Sequence, residues 1–151
     1  MKTWALDGAE WLAVLRIGLG AWWLESVRHK NLAAWLQRDA GINWAASVAE
    51  AHRWPWVRRL FERTVKPHPK FFTWVVLLSE FSIGLGVAFG FLTPIALAAS
   101  IVLNLVYLLL MIHEFAEQGQ NGMMIVMAAV CLGAQAWQTW SLDAGLGLFG
   151  A

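Results

Sequence analysis

The sequence has a single cysteine, Cys131, and this scarcity excludes several kinds of site. No intramolecular disulfide can form, and there is neither a CxxC redox pair nor a cysteine-rich metal site. We therefore expect no bound metal, and we expect Cys131 to pack as a small apolar residue. The chain also lacks any motif that binds an electron-carrying cofactor, so we do not expect it to catalyse a redox reaction alone.

Charged residues are scarce as well. They make up 14% of the 151 residues, whereas 59% are hydrophobic. A soluble domain has about 25% charged and about 45–50% apolar residues, so the balance is typical of a membrane protein with a single bundle. The first residues lack a basic segment followed by an uninterrupted apolar core and a cleavage site, so we predict no removable signal peptide. We expect no nucleic-acid partner.

Four apolar stretches are each long enough to cross a bilayer as a helix, for which about 20 residues suffice. The sequence therefore predicts an all-α fold, an integral membrane four-helix bundle formed by residues 1–151 as a single domain. A polar loop over residues 29–70 joins the first two spans. The predicted spans cover residues 4–27, 71–92, 94–113 and 122–140.

The basic residues are concentrated in this loop, since nine of the eleven lie between Arg28 and Lys70. The positive-inside rule then makes the loop cytoplasmic and places both termini outside. Asn43 is a candidate cap for a short helix over 43–53, and Pro55 suits the first turn of a basic amphipathic helix over 56–64. This second helix either lies on the lipid head groups or packs as a lid over the end of the bundle. The residues assigned to the membrane-surface helix are Trp56, Arg58, Arg59, Phe61 and Arg63.

Three polar residues lie near the middle of predicted spans, where an ionisable group costs at least about 2.5 kcal/mol. They are Arg16, Glu80 and Asn104, one in each of the first three spans. Because a guanidinium and a carboxylate neutralise each other, we predict an Arg16–Glu80 pair, with Asn104 satisfying a remaining donor or acceptor. This layer is a clamp that fixes helix register, a polar pocket for a small ligand such as a quinone head group, or part of a proton path.

A second polar layer is predicted nearer the cytoplasm. Glu25 and His113 lie nine residues along their spans from Arg16 and Asn104, which is about 13 Å by the helical rise. Their side chains can bind metals, but the spacing matches no ligand motif, so an interfacial cluster is the default interpretation. Titration of His113 near neutral pH would alternatively let protons into the bundle here.

Four segments of the chain together form a recognisable pattern. They are LRIGLGAWWLE at 15–25, LLSEFSIGLGVAFGFLTPIALAAS at 77–100, LNLVY around Asn104, and WSLDAGLG at 140–147. With these segments the chain resembles the DoxX family of small bacterial and archaeal membrane proteins, including the DoxD-like small subunit of thiosulfate:quinone oxidoreductase. One departure is ESVRH at 25–29, where family members tend to have small residues before a lysine. The long loop rich in Trp and Arg is closer to the DoxD-like branch.

The resemblance implies four membrane helices in a bacterial or archaeal cytoplasmic membrane and a role beside redox enzymes of the respiratory chain. We therefore expect an accessory subunit of a larger membrane redox complex, with no covalently bound cofactor and with a quinone as the candidate ligand. One alternative is a quinone-linked oxidoreductase subunit whose pocket around Arg16 and Glu80 takes part directly. Another is a transporter of small solutes that uses the mid-membrane charges as its binding site.

Overall fold

The structure, a computed structural model, describes residues 5–150, and every regular element within this range is a helix. The predicted all-α class is confirmed for these residues. Trp4, the predicted start of the first span, lies outside them. Four helices are long, namely the first, fifth, sixth and seventh. In chain order the α-helices are α1 (Gly8–His29), α2 (Leu32–Arg38), α3 (Ala40–Glu50), α4 (Pro55–Thr64), α5 (Pro69–Phe89), α6 (Thr93–Leu110), α7 (Phe115–Gly133) and α8 (Leu142–Leu146), and a short 3₁₀ helix follows at Leu148–Gly150.

Local sequence signals explain several helix ends. Asp7 and Glu10 form a capping box at the start of α1, because each side chain accepts a hydrogen bond from the other residue's backbone N–H at 2.9 Å. Pro55 stands in the first turn of α4, as predicted. α5 ends where Gly90 takes a left-handed conformation with φ of 67°, which glycine adopts without steric cost.

Two parts of the chain differ from the predicted elements. Segment 114–121 lies between the predicted third and fourth spans, but Glu114 is the N-cap of α7 and residues 115–121 form its first turns, where the buried Asn121 side chain donates to Glu117 O at 2.7 Å. Hydropathy misses such polar first turns because it measures apolar length and not helical backbone. In the loop, α2 was not predicted, and α3 begins three residues before Asn43, whose side chain instead donates to Arg38 O.

The four long helices pack as a ring in which α1 contacts α5, α5 contacts α6, α6 contacts α7, and α7 returns to α1. Glycines set the register between α1 and α5. A Cβ at Gly20 would lie 2.2 Å from Ala88 N, and one at Gly84 would lie 2.7 Å from Leu24 Cδ2. Fully buried Cys131 lies in the core between the helices, as predicted, with Leu19, Trp23, Ile83, Val87, Leu97, Met124, Ala128 and Ala136.

Two of the described helices, α5 and α6, are long and apolar enough to cross a membrane. Their most apolar 18-residue windows have mean hydropathies of 1.7 and 2.1, yet only 39% and 22% of the residues in those windows are buried. Large side chains such as Leu78, Ile95 and Val102 are more than half exposed. Packing within the chain therefore leaves much of the apolar surface of α5 and α6 exposed.

The three loop helices cover one end of the ring. α2 and α3 pack on α5, α3 also contacts α6, and α4 packs on α3. The buried His52 after α3 lies with Nε2 3.0 Å from Leu109 O, near the end of α6. α4 therefore packs mainly on another loop helix and not on the long helices, with Val57 buried, while its Trp56 and Leu60 side chains stay about half exposed at 49% and 53%.

Candidate functional site

Glu80 is the centre of a buried polar cluster. Its side chain is 2% exposed, and its carboxylate accepts hydrogen bonds from Lys30 Nζ at 2.5 Å and from the Tyr107 hydroxyl at 2.6 Å. We call these three residues the Lys30–Glu80–Tyr107 cluster. It joins three elements, since Lys30 follows α1, Glu80 is in α5 and Tyr107 is in α6.

The end of α1 explains how a lysine reaches Glu80. Lys30 takes an extended conformation directly after the last turn, and its side chain is only 15% exposed. Nζ also lies 3.1 Å from Ser26 Oγ and 5.2 Å from the ring centroid of Trp35 on α2. Hydrogen bonds and an aromatic face therefore compensate the ammonium for lost hydration.

The cluster lines a cavity of about 250 Å³ between the loop helices and the bundle. Pockets for drug-sized ligands usually measure about 300–1,000 Å³, so this space suits a smaller group such as a single ring. Trp35 and Trp44 supply aromatic walls, and Glu117, Gln120 and Asn121 add polar groups from α7. The cavity thus combines flat apolar surfaces with several convergent hydrogen-bonding groups.

The predicted Arg16–Glu80 pair is wrong. The Arg16 guanidinium donates to Val87 O at 2.8 Å, to Ala88 O at 3.3 Å and to Trp140 O at 2.6 Å. Glu80 precedes Val87 by seven residues on the same helix, which is about 10 Å along the axis. Arg16 and Glu80 were assigned to one plane because each lies mid-span in the sequence. The close contact of Gly20 with Ala88 instead sets Arg16 beside the end of α5.

Arg16 belongs to a separate polar group at the α5–α6 turn. The carboxylate of fully buried Asp143 accepts hydrogen bonds from the backbone N–H groups of Leu92 and Thr93, both at 2.8 Å. Arg16 thus binds carbonyls at the C-terminal end of α5, while Asp143 binds N–H groups at the N-terminal end of α6. Each charged side chain therefore lies at a helix end whose dipole has the opposite sign, and this arrangement stabilises the two helix ends.

Asn104 is fully buried, as expected, but it belongs to neither charged group. Its Nδ2 donates to Ser100 O at 2.8 Å, which fixes the orientation of the amide and leaves Oδ1 without a partner. The residue lines a space of about 20 Å³, enough for one water-sized group. Tyr107 and Gln120 line both this space and the larger cavity.

The predicted Glu25–His113 layer is also wrong. Glu25 forms an ion pair with Arg28 at 2.5 Å, and His29 Nδ1 lies 3.0 Å from it. His113 instead accepts a hydrogen bond from Arg53 N at 3.3 Å. The prediction extended the helical rise from Asn104 to His113, but α6 ends at Leu110, so His113 lies in a turn where that rise no longer applies.

The five residues assigned to the membrane-surface helix all lie within α4, from its first turn to its last. Trp56 stacks on Trp54 with ring centroids 6.2 Å apart, and Arg53 lies 4.7 Å from the Trp54 ring. Phe61 is half-buried, whereas Arg58, Arg59 and Arg63 are exposed. This basic and aromatic surface keeps the composition that suits lipid head groups, and binding to lipid stays a prediction.

Sequence reasoning missed two members of the cluster. Lys30 was counted only as a loop charge, and Tyr107 is the single tyrosine of the chain. One signal was available, because Tyr107 lies three residues after Asn104 and so shares its helix face. Within residues 5–150 no group of three or more His, Cys, Asp or Glu side chains is placed to hold a metal ion.

Comparisons of the chain with protein-family models, with curated proteins and with solved structures find no match.

Proposed function

We propose that the chain is an integral membrane protein of the DoxX type that serves as an accessory subunit of a respiratory redox complex and holds a quinone head group. All four long helices would cross the cytoplasmic membrane of a bacterium or archaeon. The loop helices α2, α3 and α4 would lie on the cytoplasmic side and both ends of the chain outside.

The observation that carries the proposal is the Lys30–Glu80–Tyr107 cluster beside a cavity of about 250 Å³. A buried ion pair is weak support for stability alone, since an apolar pair of similar size is often as stable. Here the charged groups line a cavity with aromatic walls from Trp35 and Trp44. A planar ring with oxygen substituents matches such walls and polar groups in size and chemistry.

The exposed apolar surface supports the membrane part of the proposal. Soluble monomers rarely expose contiguous apolar patches larger than a few hundred Å². On α5 and α6, by contrast, large side chains such as Phe81, Ile95 and Val106 are about half exposed or more. Arg16 on α1 would be tolerated in a lipid-embedded bundle because its side chain is fully buried and bonded to backbone carbonyls.

The test measures which lipid-soluble molecule remains on the chain after purification from a quinone-containing bacterial membrane. We expect about one single-ring quinone per chain, as one small-ligand pocket permits. Ala45 lines the cavity, so Ala45→Phe should fill it and abolish quinone retention. Ala33→Phe adds the same group on the exposed face of α2 and should retain the quinone.

Three results would contradict the proposal. Equal quinone content in Ala45→Phe, Ala33→Phe and wild type would show that the cavity does not hold the ligand. Uptake of a solute by the purified chain in liposomes would favour the transporter. A cofactor-bearing protein that co-purifies from native membranes is expected for an accessory subunit, and quinone turnover by the chain alone would instead favour direct catalysis.

A further inference from the structure

A groove separates α1 from α7 on the side of the molecule that faces away from the core. It measures about 590 Å³ and is almost entirely apolar, with Gly18 and Trp22 on α1 facing Met123 and Met127 on α7. A Cβ built at Gly18 would meet no atom within 4 Å. The groove is therefore open at Gly18, and in a bilayer it would face the acyl chains.

This groove and the cavity of the cluster are separated by very few side chains. Trp22 and Gln120 line both the groove and the small space beside Asn104, and Gln120 also lines the cavity. Neither Trp22 nor Gln120 is buried. Trp22 is exposed, and exposed side chains change rotamer within nanoseconds, so its movement can open the small space beside Asn104 to the groove.

The buried Asn104 oxygen indicates what kind of group belongs at this junction. Oδ1 is an acceptor without a partner on a fully buried residue, and Nδ2 is already committed to Ser100 O. A hydroxyl group can donate to Oδ1, whereas a ketone oxygen cannot. Glu117, a further acceptor when ionised, lines the adjoining cavity. The junction therefore favours a ligand that donates hydrogen bonds.

We propose that the groove between α1 and α7 is a lateral opening through which an alkyl-tailed hydroquinone passes from the lipid to the cluster. A ring hydroxyl donates to Asn104 Oδ1, and the tail lies in the groove along Gly18. The proposal rests on the proposed function, because it names the redox form and the route of the ligand in the same site. It involves binding only, with no electron transfer within the chain.

The test uses the full chain in lipid nanodiscs, titrated with a benzoquinol that carries a decyl tail, with the matching quinone, and with the quinol ring alone. Binding is followed by quenching of tryptophan fluorescence. The tailed quinol should bind at least about tenfold more tightly than the quinone, as expected when one buried acceptor is satisfied or left unpaired. Asn104→Leu, which keeps the side-chain volume, should remove this preference.

A groove variant keeps the test valid even if Asn104→Leu folds poorly. Gly18→Leu adds a side chain into open space, so it should slow association of the tailed quinol by about tenfold. It should leave the tail-less ring unaffected. Gly133→Leu is the matched control, because a Cβ at that exposed position also meets nothing and the residue is remote from the groove.

The outcomes separate this proposal from the proposed function. A wild-type preference for the quinone would overturn the hydroquinone as the ligand, and equal association rates for Gly18→Leu and Gly133→Leu would overturn the lateral route. In both cases the ligand site of the proposed function stands. If neither form of the ligand binds wild type, both proposals are overturned.

Discussion

Lys30 and Glu80 depend on each other because each is the charged partner of the other in a place with little water. The carboxylate is 2% exposed and the ammonium side chain 15% exposed. Removing one partner of such a pair leaves the other charge buried and uncompensated, whereas replacing both by neutral groups of similar volume is often harmless. This asymmetry makes the pair testable by substitution.

We predict that Glu80→Gln lowers the free energy of unfolding by about 3 kcal/mol, near the lower limit for a broken buried pair because Lys30 retains some exposure. The double variant Glu80→Gln with Lys30→Met should recover more than half of this loss. The measurement is denaturant unfolding in detergent micelles, followed by circular dichroism.

Glu50→Gln serves as the control for the single variant. Glu50 is exposed, and its ion pair with Lys66 spans 2.9 Å on the loop surface. The hydrogen bond from Lys66 lowers the pKa of the Glu50 carboxyl, but a surface pair of this kind contributes little to stability. A double variant no more stable than Glu80→Gln would show that the two charges do not compensate each other.

At the scale of helices, the α5–α6 turn is held by charges on two other parts of the chain. Arg16 from α1 binds carbonyls where α5 ends, and Asp143 from α8 binds the first N–H groups of α6. Leu92 between them has a positive φ of 50°, which costs a branched side chain energy unless its surroundings hold it. Asp143 therefore stabilises both the helix start and the conformation of the turn.

We predict that Asp143→Asn lowers the free energy of unfolding by about 2 kcal/mol. The carboxylate offers two oxygen acceptors, one to each backbone N–H, whereas the asparagine amide offers only one. Its NH₂ group would face the other backbone N–H, and that buried donor would lose its partner. The loss should appear in the same detergent unfolding experiment.

Asp7→Asn is the control for this prediction, since Asp7 also caps a helix but is exposed, and asparagine caps as well as aspartate does. If Asp143→Asn and Asp7→Asn have the same free energy of unfolding, the buried carboxylate does not hold the turn.

The sequence predicted the helices well and their mutual register poorly. Hydropathy identifies α5 and α6 because it depends only on residues close together in the chain. The partner of Glu80 depends on where α1 and α5 touch, and this is decided by the close approach of Gly20 to Ala88 and of Gly84 to Leu24. Counting from the middle of each span cannot detect that offset, so Arg16 was assigned to Glu80.

The candidate site was predictable in part for the same reason. Glu80 and Asn104 can be recognised from the sequence because they are polar residues inside apolar segments, where burying them costs free energy. Lys30 does not, because it follows α1 in a segment rich in charge, and only the packed structure brings its side chain back to α5. Asp143 likewise acts on α6 from the far end of the sequence.

At the scale of the whole molecule, the two ends of the helix ring differ in charge. The loop end carries α2, α3 and α4 with most of the basic residues, since nine of eleven lie between Arg28 and Lys70. The opposite end carries α8 and the uncharged C-terminal residues 144–150. Because basic loops are retained in the cytoplasm, this asymmetry predicts one orientation in the membrane.

We predict that a membrane-impermeant maleimide added to intact cells labels a cysteine at the α8 end but not one on the loop helices. The reporters are Gly145→Cys in α8 and Gln37→Cys in α2, both exposed, placed singly in a Cys131→Ser background. After the cells are broken open, both positions should react, which controls for accessibility. Labelling of Gln37→Cys in intact cells would show the opposite orientation.

Release of the chain from membranes by alkaline carbonate would contradict insertion itself, since four lipid-embedded helices resist this extraction, which removes surface-bound proteins.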